Sequence, residues 1–295
     1  MEKLSETHTL LKWSKGKPGG LKGRKDLQKD IEDENGVTDT SLLTVKLDCL
    51  GNDALKKVNN IHTSMDKSIK AEGQPWDSRG YWIFANHRVQ KVQNILAQGE
   101  MDAERALEIY IDGYSAHVQS QRESLKDAFR EGNYPTVEQL RDKHYIRYDI
   151  APVPDPENDQ RSGWTQDMRD RFEKQITKQQ NVKVAASLVD LQKRLTPLVE
   201  AIVKNMDTYT GNREDGYFND SMITKVRTLV EHMPDFNLGN DPLVEEVRRD
   251  LMSKITVLNP KILRADKSIR KDVSTDASKI LKKIGAFGMP TDSDQ

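Results

Sequence analysis

Leu188-Val189-Asp190-Leu191-Gln192-Lys193-Arg194-Leu195-Thr196-Pro197-Leu198-Val199-Glu200-Ala201-Ile202 carries the clearest architectural signal in the chain. Its apolar residues Leu188, Leu191, Leu195, Leu198 and Ile202 recur at spacings of three and four. That rhythm puts them on one face of a helix, in the pattern of a heptad seam. Outward from it, Trp164 to Tyr209 reads as one very long helix, with Pro197 expected to kink or break it. The seam faces either a core within the chain or a second copy. The core is the favoured reading, because Ser221 to Leu258 supplies helices that return to it.

The rest of the chain has the same helical character. Helices are expected over Asp53–Lys70, Arg79–Gln98, Met101–Phe129 and Val137–Lys143, with Gly99 ending the second. Thr136 and Gln139 form a capping box ahead of the fourth. Asp220–Met233, stopped by Pro234, and a helix opened by Asp241-Pro242 follow, with amphipathic material to Ile284. Two stretches alternate as strands do: Leu42–Asp48 and Tyr145–Ile150. The economical arrangement pairs them with each other and covers one face with helices, since two short strands do not stand alone in water. The expected fold is therefore mainly α: a helical bundle with long helices, a seam of coiled-coil type and one small two-stranded β element.

Of the 295 residues, 32% are charged, with 46 Lys+Arg against 47 Asp+Glu. That exceeds the usual share of about a quarter, and suits long solvated helices better than a compact parallel-sheet enzyme. The near-zero net charge removes any global argument for nucleic acid or an anionic membrane. Cys49 is the single cysteine, so no intramolecular disulfide forms and the residue is expected to be a small buried hydrophobe. No apolar run reaches the length of a signal-peptide core or a membrane span. These features point to a cytoplasmic protein with no membrane association.

Composition divides the chain into five parts: a disordered basic and acidic tail over 1–40, an α+β subdomain over 41–150, a Pro-rich linker over 151–163, a helical subdomain over 164–284 and a flexible tail over 285–295. Glycines and charge dominate the first part. An alternative there is that Leu4, Leu10 and Leu11 dock on the body. The cations Lys12, Lys15, Lys17, Lys22, Arg24, Lys25 and Lys29 are the candidate nucleic-acid contacts, with Trp13 available to stack on a base.

Catalytic and cofactor signatures fail one by one. No phosphate-binding loop, dinucleotide fingerprint, nucleophile elbow or zinc-protease motif is present. The acidic glycine turns at Gly36, Gly216 and Gly239 lack the first calcium ligand. His62 and Asp66 share a helix face at i, i+4, where a solvated pair is the simpler reading than half a metal site. A site scattered over His87, Glu108, Asp112 and His117 is the weakest alternative. The aromatic run Trp76–Trp82 is read as a core anchor for a helix start rather than a binding surface. No catalytic, cofactor or metal residue is assigned.

Two motifs carry a resemblance. Pro75-Trp76-Asp77-x-x-Gly80 precedes a helix, and Ala128 through Lys143, containing Tyr134-Pro135-Thr136-Val137-Glu138-Gln139-Leu140-Arg141, leads to Pro152-Val153-Pro154. Across residues 42–258 the chain resembles a family of tailed-bacteriophage proteins of unassigned activity. His144 stands where that pattern has an aromatic, and the basic tail lies outside it. The resemblance implies a phage origin and action in the host cytoplasm. It also implies an accessory role beside an ATPase of the MoxR type. The expected function is a non-enzymatic interaction protein with a phage or host protein partner or a second copy of itself. Nucleic-acid binding through the basic tail is the alternative.

Overall fold

The computed structural model describes residues 3–51, 55–155, 164–209 and 220–288. In chain order they form α1 (Leu4–Thr7), β1 (His8–Gly16), β2 (Leu21–Gly23), α2 (Lys25–Asn35), β3 (Lys46–Asp48), α3 (Lys56–Glu72), β4 (Gln74–Pro75) and β5 (Trp82–Ala85). Then come α4 (Asn86–Asp112), α5 (Tyr114–Leu125), α6 (Val137–Asp142), β6 (Tyr145–Pro152), α7 (Gln166–Thr208), α8 (Asp220–Phe236), α9 (Pro242–Leu251), α10 (Pro260–Ala265) and α11 (Lys267–Gly285). The protein is mainly helical, as its periodicity requires.

The β content differs from expectation. β2 pairs with β3 antiparallel, Leu21 opposite Asp48 and Gly23 opposite Lys46. β4, β5, β1 and β6 form a four-stranded sheet in that order. The strand expected over 42–48 shortens to Lys46–Asp48, and it and β6 belong to different sheets rather than to one pair. Their partners come from the first 25 residues, where glycines and charge point to disorder. Leu10 and Leu11 are buried there, contributing about 2 kcal/mol each toward the cost of ordering a strand whose hydrogen bonds β5 and β6 complete. The stretch from Lys3 to Asn35 is thus α1, β1, β2 and α2, the docking alternative for Leu10 and Leu11, and not a disordered tail.

The chain divides into two compact units, not at a single linker. One holds residues 1–10, 72–86 and 151–295; the other holds 11–71 and 87–150. Much of the expected linker (156–163), the turn over 211–219 and most of the final tail (289–295) lie outside the described residues.

The first unit is built on α7. Its core gathers Leu188, Leu191, Leu195, Val199, Ile202 and Met206 with α8, α9 and α11 residues such as Val226, Met233, Val247, Val273 and Ile280. Leu198 is partly buried against this core. The seam residues thus pack on helices of their own chain. α7 runs unbroken through Pro197 for 43 residues. α8 likewise runs through Pro234 to Phe236. Each proline removes one ladder hydrogen bond, a cost of about 3 kcal/mol, and the buried faces on both sides offset it. Asp241 caps α9, its carboxylate accepting from the Leu243 N–H at 2.8 Å.

In the second unit, Leu50, Leu55, Val58, Ala103, Leu107, Tyr110, Tyr114 and Leu140 form the core. α4 runs straight past Gly99, the expected stop. That glycine serves close packing instead: a Cβ there would lie 2.6 Å from the Met65 sulfur. β5 replaces the expected start of the helix at Arg79, so the aromatic run enters as a strand. The capping box at α6 forms as expected. The Gln139 N–H donates to the Thr136 hydroxyl at 3.2 Å, and the Thr136 N–H donates to the Gln139 side chain at 3.1 Å.

Candidate functional site: the outer face of the long helix

Residues 74–83 make a hairpin in which Gln74 faces Ile83 and Pro75 faces Trp82. The turn is held by Asp77. One carboxylate oxygen accepts from the backbone N–H groups of Arg79 and Tyr81, at 3.0 and 3.1 Å, and the other from Arg79 Nε at 2.7 Å. Burial pushes the Asp77 carboxyl up, but the Arg79 guanidinium and these N–H groups outweigh it and hold it below the usual carboxylate range. Gly80 closes the turn at φ 92°, a conformation that disfavours any side chain. Trp76 is buried with Leu10, Ile83, Val153 and Leu238, which is the anchoring role expected of it. The motif Pro75-Trp76-Asp77-x-x-Gly80 is accordingly a turn whose residues have structural tasks.

Facing this turn is the N-terminal half of α7. Thr165 caps the helix by accepting from the Met168 N–H at 3.3 Å, and Asp167 sits favourably in the first turn. From 166 to 186 only Ile176 is buried. A groove of about 660 Å³ runs between helix and turn, walled by Trp76 and Arg79, by Pro154, and by Gln175, Gln179, Val182 and Lys183. On the other flank a second, more open groove of about 800 Å³ is lined by Asp170, Lys174, Lys178, Asn181, Val182 and Ala185. Met168, Val182 and Val189 are exposed apolar side chains along this helix. The arrangement offers apolar contact flanked by cations, side-chain amides and, in the more open groove, the carboxylates of Asp170 and Glu173. That is the chemistry of a docking surface rather than of bond making.

The basic residues singled out from the sequence do not form one free run. Lys12 is 3.9 Å from Asp149. Lys15 pairs with Asp66, which also accepts from Trp13 Nε1 at 2.9 Å. Lys17 donates to the Asn59 side chain. Arg24 is buried, with a two-pronged bond to Asp26 at 2.8 and 2.6 Å and a third bond to the Ala128 carbonyl at 2.7 Å. Lys22, Lys25 and Lys29 are exposed on β2 and α2.

His62 is not a solvated partner of Asp66. It is 3% exposed and its ring lies parallel to that of His144, centroids 5.5 Å apart. His62 Nε2 and both ring nitrogens of His144 are buried with no hydrogen-bond partner. Gly16 lets β1 lie close to Lys143 and Tyr145, the chain neighbours of His144, since a Cβ there would stand 2.6 Å from the Lys143 carbonyl oxygen and against the Tyr145 ring. Burial, then His144 and Lys15, push the His62 pKa down from 6.5 to about 4 against the weaker pull of Asp66. The two histidines are 82 residues apart, and no sequence spacing signals their meeting. Cys49 is buried, and desolvation pushes its thiol up and keeps it protonated. Among the scattered residues, Glu108 is held by Arg141 at 2.8 and 2.7 Å, and His117 Nε2 lies 3.1 Å from the Cys49 carbonyl.

Among the described residues no three His, Cys, Asp or Glu side chains are placed to hold a metal ion, and no helix is long and apolar enough to cross a membrane. No protein-family model, curated protein or solved structure matches the chain.

Proposed function

We propose that this chain is a non-enzymatic interaction protein that engages a protein partner through the outer face of α7. The observation that carries this reading is the exposure of nearly six helical turns, 166–186, in which only Ile176 is buried and two open grooves flank the apolar residues. A helix kept this long beyond the core it packs in orders some twenty residues that bury little. That ordering costs about 1–2 kcal/mol per residue, and a partner that covers the face recovers part of it. Within the same reading the protein is made by a bacteriophage, acts in the host cytoplasm and serves as an accessory to an ATPase of the MoxR type. The two motifs described above support that part.

The test is a tagged full-length chain recovered from phage-infected cells with and without nuclease. A protein partner, an ATPase above all, that survives nuclease supports the reading. Recovery of nucleic acid and its binding proteins, lost on nuclease treatment, refutes it.

Nucleic-acid binding is the second reading, and the exposed trio Lys22, Lys25 and Lys29 is what favours it. Deleting residues 1–40 would remove β1 from its sheet, so the appropriate variant is Lys22→Ala/Lys25→Ala/Lys29→Ala. Loss of three phosphate contacts should reduce the salt slope of binding by about three. An unchanged slope removes these residues from any nucleic-acid interface.

A further inference from the structure

Resting on the interaction reading above, we infer that the outer stripe of α7 binds an acidic amphipathic helix of its partner. Met168, Gln175, Val182 and Val189 stand seven residues apart, and Phe172, Gln179 and Ala186 interleave at the complementary spacing of three and four. Together they form the a and d positions of a seam about 30 Å long, at 1.5 Å per residue. This seam is separate from the buried one: Met168, Val182 and Val189 are exposed, whereas Leu188, Leu191 and Leu195 lie in the core. Gln175 and Gln179 put amides near its middle, a placement that fixes register at some cost in affinity.

The flanks decide the occupant. In the same heptad frame the e positions hold Arg169, the buried Ile176, Lys183 and Asp190, and the g positions hold Arg171, Lys178 and Ala185. Arg171 is paired with Asp167 at 2.8 Å. Arg169, Lys178 and Lys183 have no carboxylate partner among the described residues. The acids Asp167, Asp170 and Glu173 fall at c, f and b rather than at e or g, with Asp170 and Glu173 lining the more open groove beside Val182. Asp190, the acid at an e position, already accepts from Arg194 at 2.7 Å and from Gln74 at 3.3 Å. A second copy of this helix would bring cation against cation, whether parallel or antiparallel. A partner helix with apolar residues at its own a and d positions and Glu or Asp at e and g meets each requirement.

The probe is a synthetic peptide of three heptads with Leu at a and d and Glu at e and g; its counterpart carries Lys at e and g. Binding to the full chain is followed by fluorescence anisotropy. The Glu peptide should bind at least tenfold more tightly than the Lys peptide, and the ratio should fall as salt rises. Val182→Asp should weaken the Glu peptide at least tenfold. Because Val182 is exposed, circular dichroism and the thermal midpoint should stay unchanged. Arg169→Glu/Lys178→Glu/Lys183→Glu should reverse the preference between the peptides. Equal binding of the two peptides, no binding of either, or indifference to Val182→Asp overturns the inference. So does a dimer in sedimentation that Val182→Asp dissociates, which would assign the stripe to a second copy. A cellular partner that still binds the Val182→Asp chain would overturn the inference and move the partner's contact off this stripe, while leaving a protein-interaction role intact.

Discussion

Acidification should weaken the second unit through one residue, His62. Its ring is buried against His144, with Lys15 and Lys17 on and just beyond β1 and Asp66 on its own helix as the charged groups around it. The folded pKa is about 4 against 6.5 for the free side chain. The sign follows from which state takes the proton first. Above the unfolded value both states are neutral and His62 leaves stability unchanged. As pH falls below 6.5 the unfolded chain binds a proton that the folded chain refuses, so stability drops until the folded group titrates near 4. A tenfold difference in proton affinity between the two states corresponds to about 1.4 kcal/mol, so the full loss approaches about 3 kcal/mol, with about 2 kcal/mol already gone at about pH 5. Most carboxylates remain ionised at that pH and add little. The assay is urea unfolding at about pH 7.5 and pH 5, on the natural chain and on His62→Phe. Phenylalanine keeps a ring over His144 but cannot titrate. With a urea slope of about 2 kcal/mol per molar, the natural chain's midpoint should fall about 1 M further than the variant's. Equal losses in the two proteins would overturn this account and place the acid sensitivity elsewhere.

Other substitutions probe the packing directly. Leu195→Ala should cost about 2–5 kcal/mol by leaving a cavity beneath α7, read as a lowered thermal midpoint; an unchanged midpoint would remove Leu195 from the core. Gly99→Ala would stabilise an ordinary helix interior by about 1 kcal/mol, but here the new methyl meets Met65, so destabilisation is expected and Met65→Ala should relieve it. Thr136→Ala should cost about 1 kcal/mol by deleting the α6 cap, measurable in the same unfolding experiment. Asp77→Ala should loosen the hairpin turn, since two N–H groups and Arg79 lose one shared acceptor, and amide exchange at Arg79 and Tyr81 should accelerate.

Helical class and much of its punctuation were legible in the order of residues alone. The caps at Thr136 and Asp241 are local contacts between residues two or three apart, and the heptad repeat from Leu188 to Ile202 is set by the geometry of one helix. Burial of Trp76 was legible too, from its size and its apolar neighbours. The rest required the folded chain. β1 becomes a strand because distant strands complete its hydrogen bonds and its leucines find a core, which no local propensity records. Gly99, Pro197 and Pro234 are helix breakers by intrinsic preference, and packing on both sides outweighs that preference. The basic residues lose their unity because Asp66, Asn59 and the Ala128 carbonyl reach them only after folding. His62 meets His144 across 82 residues. The outer stripe of α7 was written in the same helix as the inner one, but periodicity cannot say which of two apolar faces the core will take. Burial assigned the inner face to the fold and left the outer one, with its flanking cations, to solvent.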